Sequence, residues 1–285
     1  MLCIQELEIL SLRLSLVIVQ RSCGVVQLGF EVIERDSYVV RIRIIEELAK
    51  MNAPVVIKGC ILLRMIMADT GITTRRGTKD LDIDWTDLHT DMLQIQGTLN
   101  IALSRIEHGL IAVPHREFKQ YQAAGFNIMY GEEKVCSCDV NVAACPYTSY
   151  YKTPNGVTFI GSSPQNIFAD KLCGISTKAV YRRVKDVYDL YLLSHLKIFK
   201  VGQTRNILSD RGRELGDFRD FINGTDMMMH AWSKFKGVDN KPDFALLYTR
   251  SSQFAYPFIL LAQNSDKWSS MWDNLFWNGY SWVAQ

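Results

Sequence analysis

The stretch Val55–Trp85 reads VVIKGCILLRMIMADTGITTRRGTKDLDIDW. A short apolar run before Lys58-Gly59 predicts a buried strand, and the Leu-, Ile- and Met-rich segment after it predicts a helix. A loop rich in Gly, Thr and Arg then leads to a second short run that ends in Trp. The pattern therefore predicts strand, helix, loop and strand in that order, over Val55–Ile57, Cys60–Ala68, Thr70–Gly77 and Leu81–Trp85.

Three acidic residues alternate with apolar residues along the second predicted strand. Asp80, Asp82 and Asp84 are two residues apart, so their side chains share one face while Leu81 and Ile83 share the other. A row of carboxylates repels itself unless a cation lies among them. Mg²⁺ is the usual occupant of such a site, because it is held by one or two carboxylates together with substrate phosphates.

The Lys-Gly pair suits the same chemistry. A Gly turn after a strand lets the backbone approach a phosphate, the N–H groups at the start of the next helix attract anions, and Lys58 adds positive charge. Alone, a Lys-Gly pair is common and an Asp-x-Asp strand is often only a solvated edge. Their order along the chain favours nucleotidyl transfer, in which a metal bridges the phosphates and the attacking oxygen.

A fourth candidate acid lies on a later predicted strand. Tyr121–Tyr130 and Glu133–Val142 predict a strand pair around Gly131-Glu132, and alternation places Asp139 on the polar face of its strand. Cys136 and Cys138 fall on the opposite face, where core packing is favoured over metal binding.

Composition and charge set limits on the class of protein. A length of 285 residues allows one large or two modest domains, and a net charge of +2 argues against a strongly basic surface. Seven scattered Cys fit neither a disulfide framework nor a zinc site, so free thiols and a cytoplasmic location are expected. We expect neither a secretory signal nor a membrane span, and we interpret Gln5–Val19 as a helix packed on the body.

The remaining pattern predicts an α+β fold. A nucleotidyltransferase-type domain with a small mixed sheet (residues 1–160) is followed by an α-helical domain (161–285). The turn-rich segment Pro146–Gly156 closes the first domain, Val157–Ile160 is a short strand, and Thr86 is an N-cap. The predicted helices are Glu34–Met51, Asp87–Glu107, Pro164–Ser176, Val180–Leu196, Gly216–Ala231 and Pro242–Asn264.

Two of these later helices carry unusual polar residues. The segment Ala169-Asp170-Lys171-Leu172 places Lys171 inside an apolar helix, and Arg182–Tyr191 has charges beside aromatics. The simpler interpretation of the second helix is a set of i,i+4 ion pairs, Arg182–Asp186 and Lys185–Asp189.

Taken together, the motifs resemble those of the AbiEii/AbiGii family of nucleotidyltransferase toxins, which includes the MenT-type toxins. The resemblance covers about residues 34–196 and is carried by Lys-Gly, then R-x-T-x-D-L-D from Arg76, a strand Asp, ADKL, and R-x-K-D-x-Y-D-L-Y. It implies a DNA polymerase β-like core, a helical C-terminal domain, and a toxin whose antitoxin is typically a winged-helix protein. Some members transfer nucleotides from an NTP to the 3′ end of tRNA.

The resemblance also implies roles for individual residues. Lys58-Gly59 matches the phosphate-binding turn, Asp80 and Asp82 match the metal-binding pair, and Arg76 and Thr78 belong to the same nucleotide-binding motif. Lys171 matches a lysine that contacts the triphosphate, and Asp186 matches a further functional acid. As our own hypothesis of mechanism, we expect Asp186 to orient Lys171 or Arg183. Asp139 would complete the Mg²⁺ (or Mn²⁺) site or act as the base for the acceptor hydroxyl. Arg75 and Arg76 either support the acidic loop, contact phosphate or are simply exposed.

One departure from the family pattern leaves alternatives open. The family usually has a second Gly and then Ser or Thr after Lys-Gly, whereas Cys60 and Ile61 stand here. The first interpretation is transfer to an RNA end, with Lys178, Arg182, Arg183, Lys185 and Lys197–Lys200 as candidate phosphate contacts. The second is protein nucleotidylation on a Ser, Thr or Tyr hydroxyl. The third is a non-catalytic NTP-binding protein kept for its partner.

Overall fold

The computed structural model describes residues 37–72, 77, 80–118, 122–238, 240–264 and 269–284, and the backbone alone of 14–20, 26–32 and 117–118. Its strands are β1 Leu14–Gln20, β2 Val26–Val32, β3 Val55–Lys58, β4 Asp80–Trp85, β5 Leu110–Phe118, β6 Ala123–Tyr130, β7 Glu133–Val142, β8 Thr148–Lys152, β9 Thr158–Ser162, β10 Leu275–Trp277 and β11 Trp282–Ala284. Its helices are α1 Ser37–Lys50, α2 Gly59–Asp69, α3 Met92–Ile106, α4 Pro164–Ser176, α5 Val184–Leu193, α6 Val201–Asp210, α7 Arg219–Asn223, α8 Thr225–Lys234 and α9 Phe244–Ala262.

A seven-stranded mixed sheet organises the first part of the chain. The strand order is β5-β6-β7-β4-β3-β9-β8, with parallel pairs β4–β7 and β3–β9 and antiparallel pairs elsewhere. The predicted mixed sheet is confirmed, but it is larger than expected because β5 was not anticipated and β8 lies within the segment predicted as turns. The predicted domain boundary at residue 160 falls inside β9, and the division into two domains stays a prediction.

Alternation along β4 separates the core from the polar face of the sheet. Leu81 and Ile83 are fully buried, and Ile44 of α1 and Leu99 of α3 belong to the same apolar core. The acidic residues of β4 must therefore project to the opposite face. Helix α2, which follows β3 directly, contacts β4 and also α4 and α5. The helices that carry the later motifs are thus brought to the strand that carries the acidic residues.

The helices after β9 pack around a cluster of aromatic rings. Phe168 of α4 stacks on Phe254 of α9 with ring centroids 4.2 Å apart, and it meets Phe199 and Phe258 edge-on. The Trp277 indole N–H donates to the Ser194 carbonyl at 2.6 Å, so the buried ring keeps a polar partner. These contacts fix α4 against α9 and hold Lys171 at a defined position along α4.

The helix predicted over Gln5–Val19 is wrong in its described part, and the helix predicted from Asp87 begins later than expected. Residues 14–19 form β1 instead of the end of a helix, paired with β2 in an antiparallel hairpin, and residues 5–13 lie outside the described part. The β-branched run Val17–Val19 favours the extended conformation. The helix expected from Asp87 begins at Met92, because Asp91 and Gln94 form a capping box. The Thr86 hydroxyl instead donates to Pro54 O at 3.1 Å.

The other predicted helices differ mainly at their ends. Pro164–Ser176 is confirmed, whereas Val180–Arg183 is a 3-10 turn before α5. The segment predicted as one helix from Gly216 is divided at Gly224 into α7 and α8, and α6 and the hairpin β10–β11 were not predicted. Within the described part of the chain, none of the helices is long and apolar enough to cross a membrane.

Candidate active site

One row of paired residues crosses five neighbouring strands on the polar face of the sheet. Lys58 of β3 pairs with Asp82 of β4, and Asp82 pairs with Asp139 of β7. Asp139 pairs with Gly125 of β6, and Gly125 pairs with Arg116 of β5. Directly paired residues of neighbouring strands point to the same face of a sheet. Two carboxylates therefore lie side by side, with a cationic side chain at each end of the row.

The environment of Asp82 disfavours its charged form. Burial raises the pKa of the Asp82 carboxyl, and the carboxylates of Asp139 and Asp80 raise it further. The ammonium groups of Lys58 and Lys171 act in the opposite direction but do not outweigh burial and the acidic neighbours. Asp82 is therefore a carboxylate that an additional cation would stabilise.

Gly59 allows the Asp82 carboxylate to lie against the start of α2. Its φ is +74°, in the left-handed region, and a Cβ built on it would overlap Asp82 Oδ2 and lie 2.7 Å from Cγ. No residue with a side chain fits there without moving Asp82. Lys58, at the N-cap of α2, makes no capping hydrogen bond with its side chain.

Asp84 has a partner that the sequence did not indicate. It is buried at 2% exposure, and its Oδ1 accepts a short hydrogen bond from Lys58 Nζ. In this structure Lys58 is therefore paired with Asp84, and the third acidic residue of β4 fixes the position of the lysine beside Asp82.

Arg116 is a site residue that sequence reasoning missed. Its Nη2 donates to Asp139 Oδ2 at 2.5 Å. Asp139 Oδ1, by contrast, is buried and accepts no hydrogen bond from any described residue. Arg116 lies on β5, a strand that the sequence pattern did not predict. No signal in the sequence therefore placed Arg116 beside Asp139.

Lys171 forms a buried ionic cluster with two aspartates of α5. Its Nζ lies 2.7 Å from Asp186 Oδ1 and 2.8 Å from Asp189 Oδ2. Asp186 also contacts Arg183 Nη1 at 3.4 Å, so it contacts both of the residues that it was expected to orient. Gly174 permits this approach of α5 to α4, since a Cβ there would lie 3.0 Å from Asp186 Oδ2.

The cluster keeps Lys171 and Asp186 charged despite their burial. Burial alone would lower the pKa of Lys171, but Asp189 and Asp186 outweigh it and raise that pKa. Burial likewise opposes ionisation of Asp186, but Lys171, helped by Arg183, lowers the pKa of its carboxyl. The ammonium is therefore a fixed positive charge, and it lies close enough to Asp82 to affect the pKa of that carboxyl.

Two further arginines lie on the other side of α4. Asp170, which precedes Lys171, pairs with Arg213 and lies 3.6 Å from Arg211 Nη1. Burial lowers the pKa of Arg213, and the negative charge of Asp84 opposes this effect, so Arg213 lies within electrostatic reach of the buried acid of β4. Asp170 thus pairs with one guanidinium group and lies close to a second.

The residues that depart from the family pattern lie in the core. Cys60 is 6% exposed and Ile61 is fully buried. The three remaining motif residues of the Arg-rich loop, Arg75, Arg76 and Thr78, lie outside the described residues.

The carboxylates suit a divalent metal ion. Asp82 and Asp139 are neighbours, Asp139 Oδ1 has no hydrogen-bond partner in the described part, and Asp80 stands at the exposed edge of β4. Among the described residues, no three His, Cys, Asp or Glu side chains form a group that could hold a metal as they stand. Mg²⁺ needs only one or two protein carboxylates when substrate phosphates and waters complete its coordination.

Comparison with known proteins assigns the class and then the family. A family model described as "Nucleotidyl transferase AbiEii toxin, Type IV TA system" matches residues 43–250, more than half of the chain. The protein is therefore a nucleotidyltransferase, an enzyme that uses an NTP. It belongs to the AbiEii family of toxins from type IV toxin–antitoxin systems, as the motifs predicted.

Two solved structures match much of this chain at low sequence identity. MenT4, a nucleotidyltransferase toxin from Mycobacterium tuberculosis H37Rv, is 15% identical, with 81% of this chain and 84% of that chain covered and a TM-score of 0.45. The antibiotic-resistance factor ANT(2'')-Ia is 16% identical, with coverages of 62% and 93% and a TM-score of 0.37. No curated protein matches the sequence.

Proposed function

We propose that this toxin transfers a nucleoside monophosphate from an NTP to the 3′-terminal hydroxyl of an RNA, with tRNA as the expected acceptor. The bond that forms joins the acceptor oxygen to the α-phosphorus, and the bond that breaks releases pyrophosphate. The observation that carries the proposal is the row of Asp82 and Asp139 beside the Gly59 turn and within electrostatic reach of Lys171.

A divalent metal would be held in this row by Asp82 and Asp139, with Asp80 at its edge. When bound, Mg²⁺ or Mn²⁺ would neutralise the triphosphate and lower the pKa of the acceptor hydroxyl. Asp139 keeps 31% of its side chain exposed although its Oδ1 is buried, so an acceptor hydroxyl would approach the carboxylate from the side of Oδ2. It serves there as a metal ligand or as the base that takes the hydroxyl proton.

The cationic groups around the row suit the triphosphate and the leaving pyrophosphate. Lys171 supplies a charge that its two aspartates hold in place, so little reorganisation is needed when the phosphates arrive. The start of α2 at Gly59 favours anions through the backbone N–H groups and the helix dipole, and it lies beside Asp82. Lys58 can contribute only by giving up part of its bond to Asp84.

An RNA acceptor is favoured by the segment between α4 and α5. Lys178, Arg182, Arg183 and Lys185 are all exposed within eight residues of chain. They lie directly before or in the first turn of the helix that carries Asp186. Exposed cations next to a reaction centre are the groups that position nucleic-acid phosphates.

The test is a transfer assay with purified protein, total tRNA, Mg²⁺ and each α-labelled NTP in turn. We expect label on tRNA with a preferred NTP, and we expect Asp82→Asn to abolish it while circular dichroism shows an intact fold. Asp273→Asn is the matched control, because Asp273 is a partly exposed carboxylate paired with Arg205, outside the row. Full activity in Asp82→Asn would show that the site is misassigned.

The same assay separates the other two interpretations. Label on protein bands instead of RNA would establish protein nucleotidylation. No transfer, with NTP binding still measurable, would favour the non-catalytic interpretation and direct attention to Cys60 and Ile61.

For the antitoxin, we propose a winged-helix protein whose gene lies beside the gene of this toxin. We propose that both proteins are located in the cytoplasm. Co-expression of the antitoxin should relieve the growth arrest that the toxin alone causes, and an unrelieved arrest would contradict that assignment.

A further inference from the structure

The Arg116 side chain crosses one intervening strand to contact Asp139. The two residues are on β5 and β7, with β6 between them, and Gly125 of β6 pairs with both. A Cβ on Gly125 would lie 2.5 Å from His115 Cε1, 2.7 Å from Arg116 Nε and 2.9 Å from Arg116 Cγ. The arginine side chain therefore passes directly over the glycine, and any larger residue would push it away.

The register of β5 changes at the position where this path begins. The pairing of β5 with β6 shifts between Pro114 and Arg116, so His115 is an extra residue opposite Gly125. Such a bulge redirects the side chains around it, and bulges are frequent beside active sites. The bulge and the glycine act together to bring one guanidinium to one carboxylate.

The two oxygens of Asp139 have different environments as a result. Oδ2 accepts the hydrogen bond from Arg116, whereas Oδ1 is buried without a hydrogen-bond partner in the described part of the chain. A carboxylate oxygen in this condition loses the solvation that it had in water. Asp82 pairs directly with Asp139 across β4 and β7, so a second carboxylate lies beside that of Asp139 on the same face of the sheet. Both observations indicate a position for a cation between the two carboxylates.

We propose that Arg116 is a positioning residue that holds Asp139 Oδ2 so that Oδ1 and Asp82 bind one divalent metal ion between them. The guanidinium restrains rotation of the carboxylate, which is what outer-shell hydrogen bonds do for metal-ligating carboxylates. This inference rests on the proposed metal-dependent transfer, but it concerns the metal site of the protein alone and does not depend on the acceptor.

The experiment measures Mn²⁺ binding directly, by electron paramagnetic resonance, without NTP or RNA. We expect Arg116→Met to weaken Mn²⁺ binding about tenfold, and Arg116→Lys to recover part of the loss because it restores the charge but not the planar fork. Gly125→Ala keeps the arginine but blocks its path, so it should reproduce the loss. Arg205→Met is the matched control: Arg205 is also 46% exposed and paired with an aspartate, Asp273, yet it should leave Mn²⁺ binding unchanged.

The outcomes separate this proposal from the proposed function. Tighter Mn²⁺ binding in Arg116→Met would show that Arg116 competes with the metal. Unchanged binding would show that Arg116 does not position Asp139. Either result would overturn the proposal, and so would the absence of Mn²⁺ binding in the wild-type protein. Weakened binding in Arg116→Met, combined with no transfer to tRNA by the wild type, would support the metal site and reject the RNA acceptor.

Discussion

Replacement of Gly59 by alanine tests how closely the α2 turn and Asp82 are fitted together. The left-handed backbone costs an alanine about 1–2 kcal/mol. The new methyl group would also overlap the Asp82 carboxylate, lying 2.7 Å from its Cγ and 3.0 Å from its Cβ. Overpacking of this kind typically costs about 1–3 kcal/mol. We therefore expect Gly59→Ala to lower the free energy of unfolding by about 2–5 kcal/mol in total.

Gly71 supplies a control for the backbone contribution. Its φ is +77°, close to the +74° of Gly59, but a Cβ on it would have no atom within 4 Å. Gly71→Ala should therefore cost only the backbone strain of about 1–2 kcal/mol. The difference between the two variants measures the clash with Asp82.

The assay is denaturant unfolding followed by circular dichroism, with a third variant to identify the clashing group. Gly59→Ala combined with Asp82→Ala should recover most of the clash contribution, because the Oδ2 and Cγ atoms are then absent. We also expect Gly59→Ala to lose nucleotide transfer, since Asp82 must move. A Gly59→Ala protein as stable as Gly71→Ala would refute the reasoning, because the carboxylate would then have room that the structure does not show.

Three further predictions concern the charges around the site. Lys171→Met should destabilise the protein by about 3–5 kcal/mol in denaturant unfolding, because Asp186 and Asp189 are left buried without their ammonium partner; a loss under about 1 kcal/mol would contradict the cluster. Since the pKa of Asp82 is raised in the folded state, the folded protein loses stability as pH rises from 3.8 through that pKa. In the absence of metal, the Asp82→Asn variant should therefore melt at a higher temperature than the wild type at pH 7, and the difference in melting temperature should disappear below pH 3.8. A variant that melts at a lower temperature than the wild type at pH 7 would disprove this prediction. Replacing Lys178 and Arg182 with Gln should reduce the slope of log affinity for RNA against log salt concentration, measured by fluorescence anisotropy. The expected reduction is about 0.7 for each phosphate that is no longer neutralised. An unchanged slope would exclude both residues from the RNA interface.

The family and the main acidic strand could be predicted from the sequence because their signals are local. Alternation over Asp80–Asp84 needs only the two-residue period of a strand, and Pro164–Ser176 follows a Ser-Pro start that caps a helix. The errors occurred where local signals compete. Thr86 and Asp91 can each begin a helix, and the capping box with Gln94 decides for Asp91.

What the sequence by itself determined is the set of chemical groups: the Gly59 turn, the acids of β4, Asp139, and the Lys171 and Asp186 motifs that identify the AbiEii family. Only the tertiary structure decided which of these groups touch. The Lys58–Asp84 pair, the two aspartates on Lys171, and the contact of Arg116 with Asp139 across Gly125 all depend on strand register and helix packing. The physical reason is that register is fixed by pairing between segments far apart in the chain, and periodicity within one segment carries no information about it.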